Sequence, residues 1–247
     1  MFTLVQSDLI RLGTNWKRWI PVLLMTAGFA FLTYAGMTIS GEQTSASFLA
    51  SFEDLLIIVC CAFGTAELGW LFAAKPKAEN HPALIQTELP GWKIVLARFA
   101  VYVLLVLTDL AVLACAVFAA AYFSQISLEG FYAAQLMQDL FLILMFILTS
   151  ALPGMLLFFW TGKTFLMTAG FLLMMMNSLA ILVSCASNQL NADLSCLDVQ
   201  QQISQFGSWI SGGRFSLSAG IAVVLYTALL LAACSAVFKR KEPVCGQ

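Results

Sequence analysis

Six long apolar runs dominate this chain, over residues 20–39, 55–74, 94–123, 140–159, 165–183 and 217–238. A helix rises 1.5 Å per residue, so roughly twenty apolar residues cross the ~30 Å hydrocarbon core of a bilayer. Inside lipid each backbone N–H and C=O must be bonded within the protein, and a lone apolar run achieves that only as a helix. The runs therefore predict an all-α, polytopic membrane protein with six transmembrane helices over 20–247. Composition explains why a water-soluble reading fails. Hydrophobic residues make up 61% of the 247 and charged residues 10%, whereas a soluble domain needs roughly 25% charged residues to keep its surface hydrated. The third run is longer than a span requires and must tilt or project.

Lys and Arg set the orientation. With six spans, both termini share a side with the second-to-third and fourth-to-fifth connections. That side carries Arg11, Lys17, Arg18, Lys75, Lys77, Lys93, Arg98, Lys163, Lys239, Arg240 and Lys241, against Arg214 alone on the other. Basic residues are retained on the cytoplasmic face, so both termini are predicted to be cytoplasmic, in a cell membrane. The first run has no small-residue cleavage site after it and reads as a span, not a leader. Acids show the reverse tendency: Glu42, Glu53, Asp54, Glu129, Asp139, Asp193 and Asp198 fall at or near the outer surface. They form either an acidic vestibule or what remains where bases are excluded. Net charge is −1, which gives no electrostatic case for nucleic acid.

The segments between spans carry their own patterns. Phe2, Val5, Leu9, Leu12, Trp16 and Trp19 recur at steps of three and four, opposite Asp8, Arg11, Asn15 and Arg18. This predicts an interfacial amphipathic helix over 1–19, with Pro21 at the start of the span that follows. In the second-to-third connection, Asn80 or His81 can cap, Pro82 can open and Pro90 end a short helix whose Leu84, Ile85 and Leu89 face a partner or the protein's own helix ends. Between the fifth and sixth runs, Val199, Ile203, Phe206 and Ile210 make a second stripe, broken by Gly212-Gly213. It predicts an external helix on or in the outer leaflet.

Catalytic patterns are missing from the sequence. His81 is the one histidine, and no zinc-protease, nucleophile-elbow or paired Cys/His pattern occurs. Gly162-Lys163-Thr164 mimics the end of a phosphate loop, but that motif needs Gly where Leu157 stands. Of the seven cysteines, Cys60, Cys61, Cys115 and Cys234 lie in apolar runs and Cys245 in the polar tail; Cys185 and Cys196 share the outer loop, where spacing leaves a bridge open. No metal or cofactor site is read in this chain, and it is not read as an enzyme. Glu67 and Asp109 fall inside the second and third runs, where an ionisable group is costly and faces a pathway or a partner helix. They either line a route, together with Asn177, or bond to Thr65, Thr108 or Asn177. Pro153-Gly154 predicts a kink in the fourth helix, and Met174-Met175-Met176 points three ways around its helix and reads as packing.

These parts, in this order, resemble the membrane subunit of an ABC-2 type ABC transporter. The resemblance spans essentially the whole chain, and its most specific piece is Leu84-Ile85-Gln86-Thr87-Glu88-Leu89-Pro90-Gly91-Trp92-Lys93-Ile94-Val95-Leu96-Ala97-Arg98. It is similar to the family's coupling segment, with Trp92-Lys93 in place of a basic residue directly after the proline. The resemblance implies a permease without its own ATPase, paired with a second permease chain, identical or related. Separate ABC ATPase subunits carrying ATP and Mg would dock on His81, Pro82, Ala83, Leu84, Ile85, Gln86 and Thr87, and on the turn at Gly162 and Lys163. Compact permeases of this kind include exporters of antimicrobial peptides, and the outer acids favour a cationic, lantibiotic-like one. The competing class is a membrane scaffold or integral membrane enzyme without ATP coupling.

Overall fold

The computed structural model describes residues 2–40, 62–72, 90–123, 133–176, 197–211 and 216–241, with isolated positions at 181, 183, 184, 187, 189 and 213. Among these residues the protein is all-helical: α1 (Phe2–Gly13), α2 (Trp16–Ser40), α3 (62–72), α4 (Gly91–Phe123), α5 (Ala133–Thr161), α6 (Thr164–Met175), α7 (Val199–Gly207) with a 3-10 turn at Ser208–Ser211, and α8 (Leu217–Lys241). Three stretches, Gly91–Ala116, Leu140–Thr161 and Leu217–Phe238, are long and apolar enough to cross a membrane. They coincide with the third, fourth and sixth predicted spans and mark the chain as a membrane protein. The first predicted span lies in α2, while 55–74 and 165–183 fall partly outside the described residues. So do the 73–89 connection and Cys185 and Cys196.

The amino terminus departs from expectation. The single helix predicted over 1–19 is two helices, because Gly13, Thr14 and Asn15 break it. Thr14 N donates to Ile10 O and Asn15 N to Leu12 O, closing α1. The Asn15 side chain then accepts from Lys17 N at 3.3 Å and caps α2. The new helix thus begins at Trp16, and Pro21 sits inside it instead of opening it. Trp19 Nε1 donates to Gly13 O at 3.1 Å and fixes the corner. The apolar stripe of α1 does not simply rest on lipid: Leu12 is buried, Val5 and Leu9 pack on the core, and α1 lies against α4.

Helices α5 and α6 form an antiparallel hairpin through a two-residue link. Gly162 takes φ +72° and donates its N–H to Phe158 O at 2.7 Å, the left-handed helix stop that glycine adopts without a Cβ penalty. Pro153 sits inside α5, which continues to Thr161. The two helices approach closely at Gly154 and Gly170. A Cβ on Gly154 would stand 2.7 Å from Met167 O, and small residues at such crossings let membrane helices pack by dispersion. Backbone cannot yield as a side-chain end can. Gly154→Ala is therefore expected to cost about 1–3 kcal/mol, read as a lower unfolding midpoint in detergent.

Helix α7 packs against the bundle. Asp198, expected among the outer-surface acids, caps it by accepting from Gln200 N and Gln201 N at 3.1 and 3.2 Å. Gln200 Nε2 donates to Met174 O, tying α7 to the end of α6. The predicted stripe is present, but it packs on protein. Val199 and Ile203 cluster with Val223 of α8 and with Leu142, Met145 and Phe146 of α5, and Phe206 leans on Phe141 with centroids 6.0 Å apart.

Several contacts fix helix direction. Val223 clusters with Leu142, Met145 and Phe146, Cys234 Sγ reaches Leu152 O at 3.8 Å, and Phe159 meets Phe238 at 5.4 Å, so α5 and α8 run parallel. Phe72, at the end of α3, contacts Phe158 and Phe159 at 4.8 and 5.7 Å and carries the Arg98 guanidinium 5.2 Å above its ring. Phe72 of α3, the carboxy ends of α5 and α8 and the amino-terminal part of α4 therefore gather at one end of the bundle. Helix α7 lies at the other.

Candidate functional site: an arginine buried between two acids

Arg18, Val22 and Thr26 sit four residues apart on α2 and face the interior, all nearly closed to solvent. That phase places a cation where the apolar run predicts only packing. Arg18 is 1% exposed, and Glu67 of α3 and Asp109 of α4 are 0% exposed. The guanidinium Nε donates to Glu67 Oε1 at 2.7 Å and Nη2 donates to Asp109 Oδ1 at 2.9 Å. Its plane also lies over Trp19, 4.7 Å from the ring centroid. Charge-assisted bonds of this length are the strong class of protein hydrogen bond. Arginine suits the position because its rigid fork can address two carboxylates at once.

The triad lies within the bundle, away from its aromatic end. Glu67 is five residues before Phe72 and Asp109 eleven after Arg98, or about 7 and 16 Å along their helices. Glu67 Oε2 and Asp109 Oδ2 are buried and make no hydrogen bond within the described structure. Each acid thus spends one oxygen on Arg18, and the two acids lie beside each other around the guanidinium. Nearby, Tyr102 of α4 is fully buried, and its hydroxyl donates a long bond to Gly64 O of α3 at 3.4 Å.

This arrangement corrects the sequence expectation for Arg18. The polar face of a 1–19 helix is the expected place of Arg18, and that follows only if one helical phase runs through Gly13–Asn15. Counting from the cap at Asn15 puts it on the stripe of Val22 and Thr26. Of the partners proposed for the acids, Thr108 is exposed and turns its hydroxyl back to Leu104 O at 2.7 Å. Asn177 lies outside the described residues. A usable signal did exist in the sequence: two acids deep in apolar runs call for a cation, and Arg18 is the base closest to the first run.

The remaining predicted site residues divide in two. Gly162 and Lys163 form the exposed α5–α6 turn. His81, Pro82, Ala83, Leu84, Ile85, Gln86 and Thr87 lie outside the described residues. Among the described residues no group of three His, Cys, Asp or Glu side chains could hold a metal ion. What the triad can do is mechanical and electrostatic. It joins three elements through one guanidinium.

Fold and site define a helical membrane protein whose bundle is tied together by a buried ionic triad. No protein-family model, no curated protein and no solved structure matches the chain.

Proposed function

We propose that this chain is the membrane subunit of an ABC-2 type ATP-binding-cassette exporter, with six spans and both termini in the cytoplasm. A second permease chain completes the pathway, and separate ATPase subunits supply ATP hydrolysis from the cytoplasmic face. The cargo is a cationic amphipathic peptide.

One observation carries most of this reading. The proposed docking segments, 81–87 and Gly162–Lys163, are far apart in sequence. Yet Phe72, which leads into the first, touches Phe158 and Phe159, which lead into the second. Two docking segments that must meet one ATPase need their helices to end together, and this contact supports that. The lysine and arginine bias supports the same end as cytoplasmic. The α7 unit between α6 and α8 fits the family's external insertion, folded back on the bundle.

The test is affinity purification of the tagged chain from its native membrane. An ATPase with a phosphate-binding loop should co-purify. Replacing both Leu84→Asp and Ile85→Asp should reduce its recovery at least about tenfold, since loss of one apolar anchor is worth 1.4 kcal/mol or more. Recovery of no ATPase, or full recovery with the double variant, rejects the docking scheme. Equal sensitivity to a panel of cationic peptides with and without the chain rejects the cargo.

A further inference from the structure

We infer that Arg18 is a positioning residue for coupling: its ties to Glu67 and Asp109 form a latch through which the two helices flanking the ATPase-docking connection move the amino-terminal elbow. This rests on the exporter reading above and adds to it the path by which motion passes from the ATPase side into the bundle.

The argument begins with connectivity. Helix α3 leads into the 73–89 connection and α4 leads out of it. Both carry one buried acid, and both acids hold the same guanidinium. A force on the connection therefore reaches Arg18 along about one turn of α3, from Phe72 to Glu67, and about five turns of α4, from Gly91 to Asp109. Arg18 in turn is bound into the corner of α1 and α2, where Asn15 caps α2 and Trp19 Nε1 holds Gly13 O. Leu12 extends the corner into the core. Moving the guanidinium moves the elbow.

The bonding pattern also suits a latch better than a fixed stitch. Arginine paired with one carboxylate through two parallel bonds would satisfy both oxygens and stay in place. Here it gives a single bond to each acid, and the second oxygen of each is buried beside the other acid with no donor among the described residues. If α3 slides relative to α4, the guanidinium can yield one bond and take the second oxygen of the other acid. The cation stays paired throughout, which the low-dielectric interior demands. Two alternative pairings of one charge make a bistable contact, the kind of element that converts a small shift into a discrete one.

The experiment uses the complex with its ATPase in lipid nanodiscs. Lys17 and Lys163, both exposed, are changed to cysteine in a background lacking the native cysteines and labelled for distance measurement. ATP with vanadate should change the elbow-to-turn distance when the triad is intact. The neutral triple Arg18→Met, Glu67→Gln and Asp109→Asn removes every buried charge together, so it should fold. With its ATPase still bound, as checked by co-purification, it should lose the ATP-driven distance change. Arg18→Lys, a second variant that keeps the charge without the fork, should at least about halve that change. A triple or a lysine variant that keeps the full distance change overturns the latch and leaves the triad a stitch. If the parent chain binds no ATPase, the exporter reading fails first and the latch falls with it.

Discussion

Arg18→Met is expected to lower the stability of the bundle by about 3–5 kcal/mol, the range seen when one partner of a buried ion pair is removed. Methionine fills much of the same volume, so the loss is electrostatic in origin and not a cavity effect. Two buried acids would be left facing each other with no cation to offset their charge. Asp109→Asn makes the opposite change. The amide oxygen can still accept from Arg18 Nη2, and one of two crowded buried acids is removed, so the cost should stay within about 1 kcal/mol. The asymmetry is the informative part. Unfolding of the detergent-solubilised protein by SDS titration measures both variants, and equal losses would show that the charge balance described here does not govern the site.

Phe171→Ala should produce the second large effect, about 2–3 kcal/mol, in the same assay. Phe171 is fully buried in α6 and fills the junction where α3, α5 and α6 meet. A Cβ on Gly64 would run into its ring, with Ile147 alongside, and its own Cβ and backbone N stand beside the Gly154 position. In a soluble core the same truncation would cost somewhat more, because the ring would also lose its transfer from water. Lipid tails are as apolar as the bundle interior, so here the void itself supplies the penalty. Phe171→Leu keeps most of the volume and should cost roughly half as much or less. A tolerated alanine would mean that the helices close over the gap, which backbone contact at Gly154 and Gly170 opposes.

The chain's sequence exposes its helices more readily than their neighbours. Long apolar runs can be seen because lipid imposes length and composition, and α4, α5 and α8 follow the predicted spans closely. The α5–α6 turn is legible from Gly162 for the same reason a glycine is needed there: the chain must adopt positive φ. The α7 stripe of Val199, Ile203 and Phe206 is legible as a period. What covers it is not, because in a membrane protein an apolar face can be satisfied by lipid or by helix, and periodicity is silent on the choice. The triad was half legible. Glu67 and Asp109 announce themselves by depth, whereas Arg18 is hidden by a phase error of a few residues at Gly13–Asn15. Two amphipathic helices joined by a tight corner read as one when the breaker residues are few. Local signals end at the corner, and the partner of a buried charge is a long-range fact.

The central structural claim is that one guanidinium holds α3 and α4 to the amino-terminal elbow. A double-mutant cycle between Arg18→Met and Asp109→Asn, scored by SDS unfolding, tests it most directly. A direct, buried contact predicts a coupling energy of at least about 2 kcal/mol, with the double variant more stable than the sum of the single losses implies. Additivity within about 0.5 kcal/mol would mean that the two residues do not touch, and the account of the site would be wrong.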